Sequence, residues 1–256
     1  MPKTEAMTRI SALLVGGPTL HFTYAGLSIL TDPTFDEPGV YPGGATLYKL
    51  AGPAVPASAL GEIDVVLLSH EQHADNLDDS GRALLAVVPQ VLTTIDSAER
   101  IAHATGLVPW QQHRVGDAVI TAVPALHGPE GAEALSGAVT GFVLEADAHP
   151  TVYVSGDNAS VDLVREIAER FPDIDIAVLF AGAANVGRFG DSDLTLNART
   201  ALEAAEVLGD AVIVPVHAEG WFHFSETRER LIGMFAHADR ADRLQVLEPG
   251  ERADIG

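Results

Sequence analysis

Apolar and polar positions in the first third of the chain alternate in short bursts. Residues 9–17 (RISALLVGG), 19–26 (TLHFTYAG) and 27–33 (LSILTDP) are β-rich and parted by glycine-containing turns, the pattern of consecutive hairpin strands. Residues 36–56 are dense in Gly and Pro and predict a long loop of the kind that serves as a lid. The apolar run IDVVLLSH then predicts a buried strand ending at Ser69 and His70.

Beyond that point the period changes. Asp78 to Val87 opens on an acidic residue and repeats apolar positions at helical spacing. Strand patterns at QVLTTI, AVITAVPALHG, VTGFVLEAD, PTVYVSGD, IDIAVLFAG and AVIVPVH are separated by helical patterns. The helices expected are SAERIAHATG closed by Gly106, Ser160 to Phe171 with an apolar stripe, Thr195 to Leu208, and Ser225 to Ala238. A meander of strands followed by alternating strands and helices, with no linker or repeat, predicts one domain over residues 1–256. Two mostly antiparallel sheets with helices outside would bury these strands.

Composition narrows the chemistry. Hydrophobic residues make up 47%, enough for a sizeable core. There is no cysteine, which removes disulfides, thiolate nucleophiles and Cys-ligated zinc. The net charge of −21, without a basic patch, argues against a nucleic-acid partner. No apolar run approaches the roughly 18 residues of a membrane helix. The first residues, MPKTEAMTR, lead into no hydrophobic leader, so the cytoplasm is the expected location and a small molecule the expected partner. No pattern specifies an oligomeric state.

Four polar clusters each follow an apolar strand: Ser69–Asp78 (SHEQHADNLD), Ala125–Pro129 (ALHGP), Val154–Asn158 (VSGDN) and Val214–Phe224 (VPVHAEGWFHF). Strand ends on one sheet edge converge, so all four can line one cleft. A lone histidine at a strand end is usually structural, and Gly-Asp-Asn is a common turn. Two histidines and an aspartate within six residues, followed by His127, Asp157 and His217 at three later strand ends, point instead to a metal site. Imidazole and carboxylate suit zinc, and also manganese or iron. His21, His103, His113, His149 and His237 fit structural or surface roles.

This order of a His-rich turn, an isolated His, Gly-Asp and a last His resembles the metallo-β-lactamase superfamily over nearly the whole chain. Leu30–Phe35 (LTDPTF) and the VLLSH strand resemble the branch containing ascorbate-6-phosphate lactonase and the N-acylphosphatidylethanolamine phospholipases. The resemblance implies an α+β fold, a four-layer αββα sandwich with a metal cleft at one edge. The superfamily turn is H-x-H-x-D-H. Aligned from the left, Gln72 takes the second histidine's place; aligned from the right, HADNLD fits with Asn76 in place of the last histidine. The second alignment is preferred because it keeps His73 and Asp75 as ligands. It implies one or two divalent ions. His70, His73 and His127 would form the first site, Asp75 and His217 the second, with Asp157 bridging. Asn76 would then weaken the second site, with Glu219 or His223 as substitutes, and Asn76→His would be expected to tighten it.

The chemistry implied is hydrolysis of a small ester, lactone or phosphodiester, with Asp75 and His223 as catalytic residues. Asp75 would orient water or shuttle its proton, and Tyr24, Tyr41, Trp221 and His223 are candidate pocket residues. A mononuclear-iron redox enzyme and a non-catalytic metal-binding protein remain alternatives on the same fold. In every case the purified protein is expected to hold at least one transition metal per chain. Elemental analysis after chelator-free purification checks this, and a protein that takes up no metal under any loading condition would contradict it.

Overall fold

The computed structural model describes residues 9–256. Strand β1 (Ile10–Gly16), β2 (Thr19–Tyr24) and β3 (Leu27–Thr31) form the predicted meander. The Gly- and Pro-rich stretch is not one open loop: β4 (Gly39–Tyr41) pairs antiparallel with β5 (Leu47–Lys49) around a tip containing Gly43 and Gly44. Next come β6 (Val65–Leu67), helix α1 (Asp79–Leu85), β7 (Gln90–Thr94), α2 (Ile95–Ala98) and β8 (Thr105–Leu107). The helix expected to run to Gly106 stops at Ala98. Gly106 lies inside β8, where a Cβ would fall 2.8 Å from the Ile95 Cα, so it is a close-approach glycine and not a helix stop.

The second half contains β9 (Gln112–Val115), β10 (Ala118–Pro124), α3 (Glu133–Ser136), β11 (Thr140–Glu145), β12 (Thr151–Val154) and α4 (Val161–Arg170). It continues with β13 (Ile174–Phe180), α5 (Ala198–Val207), β14 (Val212–Val216), α6 (Arg228–His237) and β15 (Arg252–Ile255). Side-chain caps from Ser160, Asn197 and Thr227 start α4, α5 and α6, which sets the last two a few residues later than their apolar patterns suggest.

One sheet has the order β15-β1-β2-β3-β6-β7-β8, the other β14-β13-β12-β11-β10-β9. Both are mixed: the first has as many parallel as antiparallel pairings, with β3-β6-β7-β8 a parallel run, and the second is mostly antiparallel as expected, with β12-β13-β14 parallel. The crossovers through α1, α2, α4 and α5 explain the parallel pairs they connect, because parallel neighbours need a long return path. Period-2 alternation then assigns the layers. Leu14, Phe22, Leu67, Ile120, Phe142, Val178 and Val214 face the space between the sheets. Their neighbours Val15, Val66 and Leu68 pack outward with Leu85 of α1, and Val143, Leu179 and Ile213 pack outward under α4, α5 and α6. The result is the four-layer αββα sandwich. Among the described residues no helix is long and apolar enough to cross a membrane.

The β4–β5 hairpin is tied down by a buried ion pair. Lys49 Nζ lies 2.8 Å from Asp78 Oδ2, with side-chain exposures of 3% and 0%. Asp78 also accepts from the backbone N–H of Phe35, Asp36 and Gly81, so it caps α1 and holds the segment leading to the hairpin. Removing the ammonium leaves a buried carboxylate without its cation. Lys49→Met is expected to cost about 3–5 kcal/mol of unfolding free energy in denaturant titration. Adding Asp78→Asn to that variant is expected to recover part of it.

Candidate metal centre

Parallel strands deliver their C-terminal ends to one edge of the sandwich. Asp32 follows β3, His70 follows β6, His127 follows β10, Asp157 follows β12 and His217 follows β14. The two sheets pinch together there. Thr140 N donates to Ser69 O at 3.1 Å, joining one sheet to the other. A Cβ on Gly156, at φ +57°, would fall 2.6 Å from Thr140 O and 2.9 Å from Ser69 Cβ, so only glycine fits beside Asp157. His217 itself adopts φ +56°, an uncommon conformation for a non-glycine residue and one that clusters at functional sites.

The structure brings all six expected ligands together. His70, His73, His127 and Asp157 present ligand atoms within 4.8 Å of one another, and so do Asp75, Asp157 and His217. His73 Nδ1 stands 2.9 Å from His70 Nε2 and 3.2 Å from His127 Nε2. Hydrogen bonds outside the cluster fix the other two rings. His127 Nδ1 donates to Leu194 O at 2.9 Å, and His70 Nδ1 to Ser69 Oγ at 3.0 Å, while the Ser69 hydroxyl donates onward to Asp32 Oδ2 at 2.7 Å. Both Nε2 atoms are left as lone pairs aimed inward, and one His73 N–H can satisfy only one of them. A cation satisfies all three.

Electrostatics agree with that reading. Burial, then the neighbouring His73 and His127, hold His70 well below the ordinary histidine pKa, and burial also lowers His73. Neutral imidazole is the form that ligates metal. At the other end, burial alone would raise Asp75, yet His223 and His217 hold it well below the carboxylate range. Burial works against charge on His217, but Asp157 and Asp75 outweigh it and raise its pKa. Asp75 Oδ2 lies 3.2 Å from His217 Nε2 and 2.9 Å from His223 Nε2. Asp75 Oδ1, Asp157 Oδ2 and His223 Nδ1 are buried with no hydrogen-bond partner in the protein. Unpaired buried carboxylate oxygens are costly unless they meet a cation, so the donor set and its orphaned atoms fit one or two divalent ions.

A cleft of about 480 Å³ opens onto the cluster, lined in part by His73, Asp75, His127 and His223. The hairpin tip overhangs it through Tyr41, Pro42, Gly43, Gly44 and Ala45, so the expected lid is a short hairpin. Two expected pocket residues lie elsewhere. Tyr24 is buried between the sheets, its hydroxyl donating to Leu144 O and Pro150 O; alternation along β2 points it inward, which its chemistry alone does not reveal. Trp221 lines a separate cavity with Lys49, behind the hairpin. Glu219 lines that second cavity too, away from the cluster.

Sequence reasoning missed Arg188, among the described residues the one Lys or Arg side chain lining the cleft, and Asp32, whose carboxylate accepts from both Ser69 N and Ser69 Oγ. An Asp-Pro step directly after a buried strand was the available signal for Asp32. An arginine in an irregular loop carries none.

Residues 28–218 match the family model described as the beta-lactamase superfamily domain. That span is well over half of the chain, and the chain belongs to this family. Its class is that of the metal-dependent hydrolases. It is 27% identical over 202 residues to a metal-dependent hydrolase of Pyrococcus abyssi (76% of this chain, 82% of that protein). A metal-dependent hydrolase of Anaeromyxobacter sp. (strain K) is 27% identical over 233 residues, 82% of this chain and 80% of its own length. The fold is similar to the crystal structure of isothiocyanate hydrolase from Delia radicum gut bacteria, with a TM-score of 0.83 at 23% identity, covering 96% of this chain and 99% of that one.

Asp157 is the residue common to both ligand groups. Asp157→Ala is therefore expected to keep its fold by circular dichroism and to lose bound metal by elemental analysis. Wild-type metal content in the folded variant would contradict the grouping.

Proposed function

We propose that this chain hydrolyses a small ester, lactone or phosphodiester at a metal centre held by His70, His73, His127 and Asp157, with a second position at Asp75, Asp157 and His217. The observation that carries the reading is the convergence of these buried imidazoles and carboxylates, with unpaired polar atoms, at the floor of an open cleft. Zinc is the ion favoured by the ligand types, with manganese or iron also suited. A bound ion supplies Lewis acidity, acidifying water and polarising the substrate's carbonyl or phosphoryl oxygen.

The chain's own residues handle the proton. Asp75 lines the cleft with Oδ1 unpaired, and that atom accepts the proton of the attacking water. His223 Nε2 donates to Asp75 Oδ2 at 2.9 Å and orients the carboxylate, so that Oδ1 can hand the same proton on to the leaving oxygen. The walls Leu47, Val186, Phe189 and Leu194 exclude water around the substrate's apolar part. Arg188 gives the cleft a cation in a chain of net charge −21 and favours, within this class, a substrate bearing an anionic group such as a phosphorylated lactone. A lactonase or phosphodiesterase of the resembled branch fits that description.

The test is turnover on a panel of lactones, aryl esters and phosphodiesters. Activity is expected to vanish on chelation and return with added zinc, manganese or iron(II). His223→Gln is expected to lower kcat by about 10²–10³-fold at unchanged metal content. Metal-loaded protein inert on the whole panel would support a non-catalytic binding protein instead. Tightly held iron with oxygen-dependent turnover would support redox chemistry.

A further inference from the structure

The sequence places Asn76 where the superfamily turn has a ligand histidine, and so suggests a poor ligand. Its surroundings in the fold are different. The side chain is fully buried, and Nδ2 lies 3.1 Å from Asp157 Oδ1, 3.2 Å from Asp32 Oδ2 and 3.4 Å from Ser69 Oγ. The amide orientation follows from its neighbours: turned over, the carbonyl oxygen would face two carboxylates. The –NH₂ group has two hydrogens, and each is directed to a different carboxylate. Neutral imidazole carries one N–H and cannot serve both from a single atom.

The bonds continue past Asn76. Asp32 accepts from Ser69 Oγ at 2.7 Å, and Ser69 Oγ accepts from His70 Nδ1 at 3.0 Å. An unbroken path therefore runs from Asp157 through Asn76, Asp32 and Ser69 to His70. Asp157 and His70 belong to the same group of potential ligands, and Asn76 and Ser69 set the orientation of one each.

We propose that Asn76 is a positioning residue and not a metal ligand: its amide clamps Asp157 to the Asp32–Ser69–His70 chain and so fixes the geometry of the first metal site. The proposal rests on the metal centre assigned above. It reverses the expectation for Asn76→His. That variant replaces the two-hydrogen fork with one N–H, so it should loosen the first site and add no tight second one.

Cobalt(II) titration of the full-length protein, followed by calorimetry and by visible absorption, tests this without any substrate. Wild type is expected to bind at least one cobalt with a defined d–d spectrum. Asn76→Ala and Asn76→His are each expected to bind the first ion about 10–100-fold more weakly, with an altered spectrum. Ser69→Ala interrupts the same path at its other end and is expected to shift affinity and spectrum in the same direction, which keeps the test decisive if the Asn76 variants fail to fold. A tighter second site in Asn76→His, or wild-type affinity and spectrum in folded Asn76→Ala or Ser69→Ala, would overturn the positioning role. Absence of cobalt binding by wild type would instead overturn the metal centre itself, and this inference with it.

Discussion

Asp32, Asp75 and Asp157 lie buried beside His70, His127 and His217 where the edges of the two sheets meet. Taking an ionised carboxylate out of water costs several kcal/mol, and each must recover it from partners of positive charge or from donated hydrogen bonds. Asp32 recovers it from Ser69 and Asn76, and burial still pushes its pKa up to about 7. Asp157 accepts from Asn76, and both it and Asp75 lie against histidines and keep one oxygen with no partner in the protein. The organisation of the edge follows from this demand: a positive-φ histidine, a glycine where the sheets touch, and donors placed behind the rings.

Those supports separate two kinds of residue that look alike in sequence. The inward nitrogens of His70 and His127 are free because Ser69 Oγ and Leu194 O take the outward N–H of each ring. His21 shows the contrary case, a buried histidine whose Nε2 is spent on Ser28 Oγ at 2.9 Å. Availability of a lone pair toward a shared point, and not burial or residue type, distinguishes a ligand from a core histidine.

The cleft has a floor built on strand ends of both sheets and a rim formed by the β4–β5 hairpin tip and the irregular segment carrying Val186, Arg188 and Phe189. The buried Lys49–Asp78 pair anchors the hairpin base to the helix that follows the His-rich turn. The cleft rim and the His/Asp cluster thus share a foundation at Asp78 but stand on different elements. Such a division lets one fold carry different chemistries by changing its rim.

Much of this was legible in the sequence. Alternating apolar positions fixed the strand faces, and helical apolar spacing marked most of the helices, though not their first residues. The spacing of His70, His73 and Asp75 with the later strand-end His127, Asp157 and His217 marked the residues that converge on the candidate metal centre, because strand-end position and ligand chemistry are local properties of the chain. Parallel pairing, the hairpin within residues 36–56 and the place of Gly106 in a strand were decided by which elements pack together. Asn76 is the clearest division between the two. One dimension shows only that an amide stands where a histidine is expected. The fold brings Asp32, 44 residues earlier, and Asp157, 81 residues later, onto the same nitrogen. A side chain's partners at such separations are set by tertiary packing, so its role as a donor could not be read from its neighbours in sequence.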